Sequence, residues 1–167
     1  MRHVIIGAGA AGIAAAEHLR KLDAEASITV LDGEGEVPYA RMAIPYMLSD
    51  RIGEDGMHLR HDPDHYRTLR IDIEKGRAAS VDTAARTIRL ADGRIVAYDR
   101  LLIAAGSVPS HEPIEGIDLP GVHTCWTLAD ARASLELVTA MYASARSGEV
   151  VTLPLPTDHP LYGGWLL

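Results

Sequence analysis

There is no phenylalanine in these 167 residues, and only one cysteine. Without Phe, any aromatic stacking, in the core or on a ligand, falls to six Tyr and two Trp. The lone Cys125 excludes an internal disulfide and a dithiol redox pair, and it suits a reducing, cytoplasmic setting. No apolar run reaches membrane-spanning length, because Arg, Lys, Asp or Glu interrupts every candidate. A lysine-rich tract is missing as well. With a formal charge of -7, nucleic acid and other polyanions are excluded as expected partners. What is present is 47% hydrophobic residues, enough for a genuine core, on a length of one ordinary domain or a truncated piece of something larger.

The chain is organised around Gly7-Ala8-Gly9-Ala10-Ala11-Gly12. Before it, Arg2-His3-Val4-Ile5-Ile6 reads as a buried strand; after it, residues 13–21 form a helix-forming set. Strand, glycine turn and helix make up the context of a dinucleotide fingerprint. The first Gly allows the tight turn, the second lets a diphosphate approach the backbone, and the third lets helix pack on strand. Asp32, twenty residues past Gly12, closes a second apolar strand over residues 27–31 and can accept hydrogen bonds from a ribose. Arg2 and the small apolar run behind it have the outline of a signal peptide. Three glycines, with Glu17, His18, Arg20 and Lys21 following, set it apart.

Further along, Pro45 opens a short helix ending by Asp50, and residues 51–61 form a loop. Asp62-Pro63 is an expected cap and first position of a helix through about Leu69. A strand over residues 70–74 precedes three more over 78–82, 87–90 and 95–98, with a hairpin at Ala91-Asp92-Gly93. Residues 101–104 return the chain to the parallel sheet. The expected fold is therefore α/β: a Rossmann-like parallel sheet with an inserted antiparallel β-meander. Residues 122–126 form a short expected strand, in which Cys125 reads as an inert core thiol. Thr127 and Asp130 make a capping box for a helix whose apolar face is Leu128, Ala131, Leu135, Val138 and Met141, and Ser147-Gly148 ends it. Residues 149–153 are expected as a last strand and 154–167 as an irregular tail, dividing the chain into residues 1–148 and 149–167. His58, His61 and His65 have a spacing that hints at a metal, but Pro63 splits them between a loop and a new helix, and no metal is expected.

Four stretches in this order resemble the FAD-binding domain of the FAD/NAD(P)-dependent, pyridine nucleotide-disulfide type oxidoreductases, which include NADH oxidases, ferredoxin reductases and disulfide reductases. They are the glycine motif with Asp32, Pro38-Tyr39-Ala40-Arg41, the run Asp99 to Pro109 centred on Ala104-Ala105-Gly106, and Gly121-Val122-His123-Thr124 through Leu128-Ala129-Asp130-Ala131. The family more often has Glu at Asp32 and Ala-Thr-Gly at Ala104-Ala105-Gly106. The resemblance implies FAD as cofactor. It implies a site made of Gly7, Ala8, Gly9, Ala11, Gly12, Asp32, Gly33, Arg41, Ala78, Ala104, Ala105 and Gly106, with Arg41 toward the diphosphate and Ala78 near the adenine.

The departures matter equally. Members that reduce small disulfides resemble Cys-Ala-Leu-Pro-Tyr where this chain has Met42-Ala43-Ile44-Pro45-Tyr46, so thiol chemistry is not expected. No second glycine fingerprint follows residue 153, and the late Gly-Asp motif that holds the flavin end in the family is absent, since no Gly-Asp dipeptide occurs. The expectation is the FAD-binding portion of a flavoprotein oxidoreductase that is not competent with NAD(P)H alone; no catalytic residue is assigned. The alternatives are a non-catalytic subunit docking on a partner that supplies the missing domains, and a simple NAD-binding protein using Asp32. The apolar tail Tyr162, Trp165, Leu166 and Leu167 is a candidate surface for self-association or for that partner.

Overall fold

The structure, a computed structural model, describes residues 1–110 and 112–163. It divides into two compact units, Met1–Ser107 and the chain from Val108 onward. Trp165, Leu166 and Leu167 of the expected tail surface lie outside the described residues.

In the first unit, β1 (Arg2–Ile6), β2 (Ser27–Asp32), β3 (Ile71–Lys75) and β7 (Arg100–Ile103) form a parallel sheet in the order β3-β2-β1-β7. Helix α1 (Ala10–Leu22) is the crossover from β1 to β2. Strands β4 (Ala78–Asp82), β5 (Thr87–Leu90) and β6 (Ile95–Ala97) form a separate antiparallel sheet, the expected meander.

Alternation along the central strands assigns the two faces. Ile5, Ile28 and Val30 join Ile13 and Ala16 of α1, with Ile71, in one cluster. Val4 and Leu31 point the other way, joining Ile88, Leu90 and Tyr98 from the meander and its exit. The unit is thus helix, parallel sheet, antiparallel sheet, with β1 and β2 covered on both faces.

Between β2 and β3 the chain forms one turn of 3₁₀ helix at Arg41–Ala43, α2 (Ile44–Leu48), a second turn at Asp55–Met57, and α3 (His65–Thr68). The helix expected from Asp62-Pro63 is shorter. Asp62 accepts the Asp64 amide through Oδ1 at 2.9 Å, an Asx turn that spends its carboxylate ahead of the helix, and α3 starts at His65.

The second unit holds α4 (Leu128–Ser147). Its capping box is as expected: Thr127 Oγ1 accepts from the Asp130 amide at 3.1 Å, and Asp130 Oδ2 accepts from the Thr127 amide at 2.8 Å. Its buried residues are Leu128, Ala131, Thr139 and Ala140, whereas Met141 is 64% exposed, so the expected face turns away from Met141 in the last turns. Thr139 is tolerated in the buried row because its hydroxyl donates to the Leu135 carbonyl at 2.8 Å. The strands expected over residues 122–126 and 149–153 do not form. Both contain β-branched residues but have no partner strand among the described residues, and extended propensity stabilises nothing until a ladder satisfies the backbone. Cys125 is accordingly exposed, not a core thiol.

Candidate functional site

Strands β1, β2 and β7 end level with one another: Ile6 pairs with Leu31 on one side and Ile103 on the other. The residues just beyond, Gly7, Asp32 and Ala104, therefore share the carboxyl edge of the sheet, where ligands bind in open parallel sheets. The Gly7 amide donates to the Leu31 carbonyl at 2.9 Å, and the Ala104 amide to the Ile6 carbonyl at 2.8 Å, fixing the three strand ends together.

The three glycines of the turn differ in why they are glycine. Gly7 has φ +110°, and a Cβ there would lie 2.2 Å from the Ala104 carbonyl oxygen. A Cβ on Gly12 would lie 1.9 Å from the Gly7 carbonyl oxygen. The fold itself demands both. Gly9 has φ −75°, and a Cβ there would meet nothing within 4 Å. No contact among the described residues explains it.

Gly9 is the N-cap of α1 and its carbonyl accepts the first helical bond, from the Ile13 amide at 3.0 Å. The amides of Ala10, Ala11 and Gly12 precede that bond and have no acceptor within the helix. No acidic residue occupies the first turn, and Arg20 and Lys21 sit in the last. The positive end of the dipole is thus uncompensated where the glycine turn leaves room, an arrangement suited to a diphosphate.

Asp32 is buried at the end of β2, and its Oδ1 accepts the Glu34 amide at 3.0 Å. Its carbonyl accepts from Gly76 at 2.8 Å, which brings the start of the meander alongside; the Arg77 side chain lies over Gly33, and Ala78 opens β4 opposite Leu90. Ala8 and Ala104 pack on the cluster beneath α1. Ala105 lies close to Gly7, and Gly106 turns with φ +71°.

The structure thus brings Gly7, Ala8, Gly9, Ala11, Gly12, Ala104, Ala105, Asp32 and Gly33 to one sheet edge, with Ala78 next to it. Arg41 sits on the Asp32 side, where its Nη2 donates to Glu34 Oε1. Tyr39, buried, donates to Glu34 Oε2 at 2.6 Å. Sequence reading missed Glu34. Its position two residues beyond Asp32, on the turn leaving β2, is the signal that could have found it.

A second network, also missed, holds the loop before α3. Arg60 grips Glu17 of α1 with Nε at 2.7 Å and Nη2 at 2.6 Å, and His65 Nε2 lies 2.9 Å from Glu17 Oε1. The Arg60 bonds, with His65 beside them, hold the Glu17 carboxyl below the usual carboxylate range against the opposing effect of burial. His65 is therefore tied to a carboxylate, while His58 pairs with Tyr39 in an isolated antiparallel bridge. No helix among the described residues is long and apolar enough to cross a membrane.

Comparison with known proteins places this geometry. Residues 1–144 match the family model described as pyridine nucleotide-disulphide oxidoreductase. An NADH oxidase of Methanocaldococcus jannaschii is 36% identical over 144 residues, covering 83% of this chain and 32% of that protein. The ferredoxin–NAD(+) reductase component of the biphenyl dioxygenase system of Paraburkholderia xenovorans is 38% identical over 131 residues, covering 77% and 32%. Among solved structures, an NAD-dependent persulfide reductase from A. fulgidus superimposes with a TM-score of 0.73 at 33% identity, covering 83% of this chain and 27% of that one. The chain spans about a third of the length of the curated relatives it matches. By the match over residues 1–144, on a parallel sheet carrying the glycine turn at its carboxyl edge, this chain belongs to the pyridine nucleotide-disulphide oxidoreductase family.

Proposed function

We propose that this chain is the FAD-binding portion of an NAD(P)H-linked flavoprotein oxidoreductase, holding FAD chiefly by its ADP half. Gly9 carries the reading: it is a glycine that neither backbone angle nor neighbouring atom requires, at the mouth of an uncompensated helix N-terminus. A closely approaching ligand supplies the missing reason. The amides at Gly9 to Gly12 and the Arg41 guanidinium serve the diphosphate, with Gly7, Ala8 and Ala11 shaping the turn. Asp32 and Gly33 serve the ribose, Ala78 the adenine, and the small Ala104, Ala105 and Gly106 leave room beside β7. When bound, FAD supplies the redox chemistry. Relatives named NADH oxidase and ferredoxin–NAD(+) reductase support the nicotinamide link.

The test is direct. The purified chain titrated with FAD is expected to acquire bound-flavin absorbance and a raised melting temperature, ADP competing better than NAD. Added NADH is expected not to bleach the flavin, since the chain carries no second glycine fingerprint. Absence of both flavin signals would reject the proposal, and rapid bleaching would reject the need for further domains.

A second reading, a subunit that docks on a partner supplying those domains, is favoured by one observation. Strand β7 ends the parallel sheet with Leu102 and Ile103 exposed. Parallel strands are ordinarily covered on both faces.

A further inference from the structure

The cation assigned to the diphosphate already has a carboxylate partner. Arg41 Nη2 donates to Glu34 Oε1, while Oε2 of the same carboxylate accepts from Tyr39 Oη at 2.6 Å. The guanidinium carbon lies 6.0 Å from the centroid of the Tyr39 ring. Tyr39 is itself well anchored. It pairs with His58, the neighbouring Ala40 amide donates to the Met57 carbonyl at 2.9 Å, and the Leu59 amide to the Pro38 carbonyl at 2.8 Å. At the other end, the Glu34 amide is bonded to Asp32 Oδ1 at 3.0 Å. One residue thus joins the ribose carboxylate, through its backbone, to the diphosphate cation, through its side chain.

A guanidinium paired with a carboxylate projects little net charge, whereas a diphosphate is a dianion that favours an unshared cation. Glu34 also brings a negative charge toward the anion it would help to bind. We propose that Glu34 is a positioning residue that sets dinucleotide affinity: it holds Arg41 beside the Asp32 end of the site and cancels its charge, so that a bound diphosphate must share Arg41 with Glu34. This rests on the nucleotide reading above and deepens it. The pair orients Arg41 at the cost of binding strength, which keeps the nucleotide exchangeable. Glutamine at position 34 would keep one acceptor oxygen for Arg41 and turn its NH2 toward Tyr39 Oη, which can accept, while removing the charge.

The experiment is a calorimetric titration of FAD, and separately of ADP, into the wild-type chain, E34Q, Y39F, R41Q and E34Q/R41Q, at low and moderate salt. E34Q is expected to bind about three- to tenfold tighter, with a steeper salt dependence, because the Glu34 negative charge beside Arg41 and the diphosphate is gone. R41Q is expected to weaken binding in the wild-type background, where it leaves the Glu34 carboxylate facing the diphosphate without its cation, and E34Q/R41Q is expected to recover part of that loss. Y39F keeps the carboxylate charge and is expected not to tighten binding. Weaker or unchanged binding by E34Q, an E34Q/R41Q variant that recovers none of the R41Q loss, or a Y39F variant that tightens like E34Q would each overturn the assignment. Should E34Q fail to fold, E34A decides: binding no tighter than the wild type contradicts the cancelled charge. Wild-type binding of neither FAD nor ADP would reject the nucleotide reading itself, whereas binding that E34Q leaves unimproved rejects only the role of Glu34.

Discussion

Ile5 of β1 and Leu102 of β7 are register partners in adjacent parallel strands, yet Ile5 is fully buried and Leu102 is 41% exposed. The next pair tells the same story, with Ile103 opposite Ile6 and 65% exposed. Val4-Ile5-Ile6 and Leu101-Leu102-Ile103 are equally apolar, so composition does not separate them. Position in the sheet does. β1 lies between two strands, with α1 over one face and the meander over the other, while among the described residues β7 is paired on one side only. The parallel sheet thus has a covered centre and an exposed apolar flank at β7.

The difference should be large in stability. Ile5→Ala opens a hole in the cluster beneath α1 and is expected to cost about 2–5 kcal/mol, whereas Ile103→Ala is expected to cost under about 0.5 kcal/mol. Chemical denaturation of both variants checks this. Amide exchange sharpens it: protection is expected to be higher along Val4–Ile6 than along Leu101–Ile103. Equal costs for the two substitutions would mean that β7 is covered in solution, and the contrast between the strands would fall.

A smaller effect is expected at Glu17, whose tie to Arg60 and His65 holds the loop before α3 against α1. Its carboxyl is held below the ordinary range, so the folded state binds that proton less readily than the unfolded chain. The stabilisation is present above about pH 4.3, the unfolded value, and is lost as pH falls through the lowered folded one. Glu17→Gln is therefore expected to cost about 1 kcal/mol at pH 7, with the gap from the wild type closing below about pH 4. Denaturation midpoints across that pH range provide the measurement; a gap that widens in acid would contradict the tie.

Much of this was legible because it is local. The glycine turn, the hairpin at Asp92-Gly93 and the Thr127–Asp130 box are each fixed by residues a few positions apart, and each formed as read. What failed depended on partners distant in the chain. Residues 122–126 and 149–153 look like strands in isolation, but a strand needs a neighbour, and none among the described residues pairs with them. Cys125 was misjudged for the same reason, its burial having been inferred from a strand that does not form. Glu17 was missed because its role comes from Arg60 and His65, distant in the chain, whereas Glu34, two residues beyond Asp32, lay within reach of a local reading.

The contrast within the glycine turn itself gives the most direct measurement. Gly9→Val should leave the folded chain within about 1 kcal/mol of the wild type, because the site has an ordinary φ and open space, with only a modest change in helix capping. Melting curves of the wild type and Gly9→Val, recorded with and without FAD, separate fold from ligand. The expected result is similar curves without FAD and a FAD-induced rise only in the wild type. A Gly9→Val chain that gains the full FAD-induced rise would contradict the placement of the diphosphate at this turn.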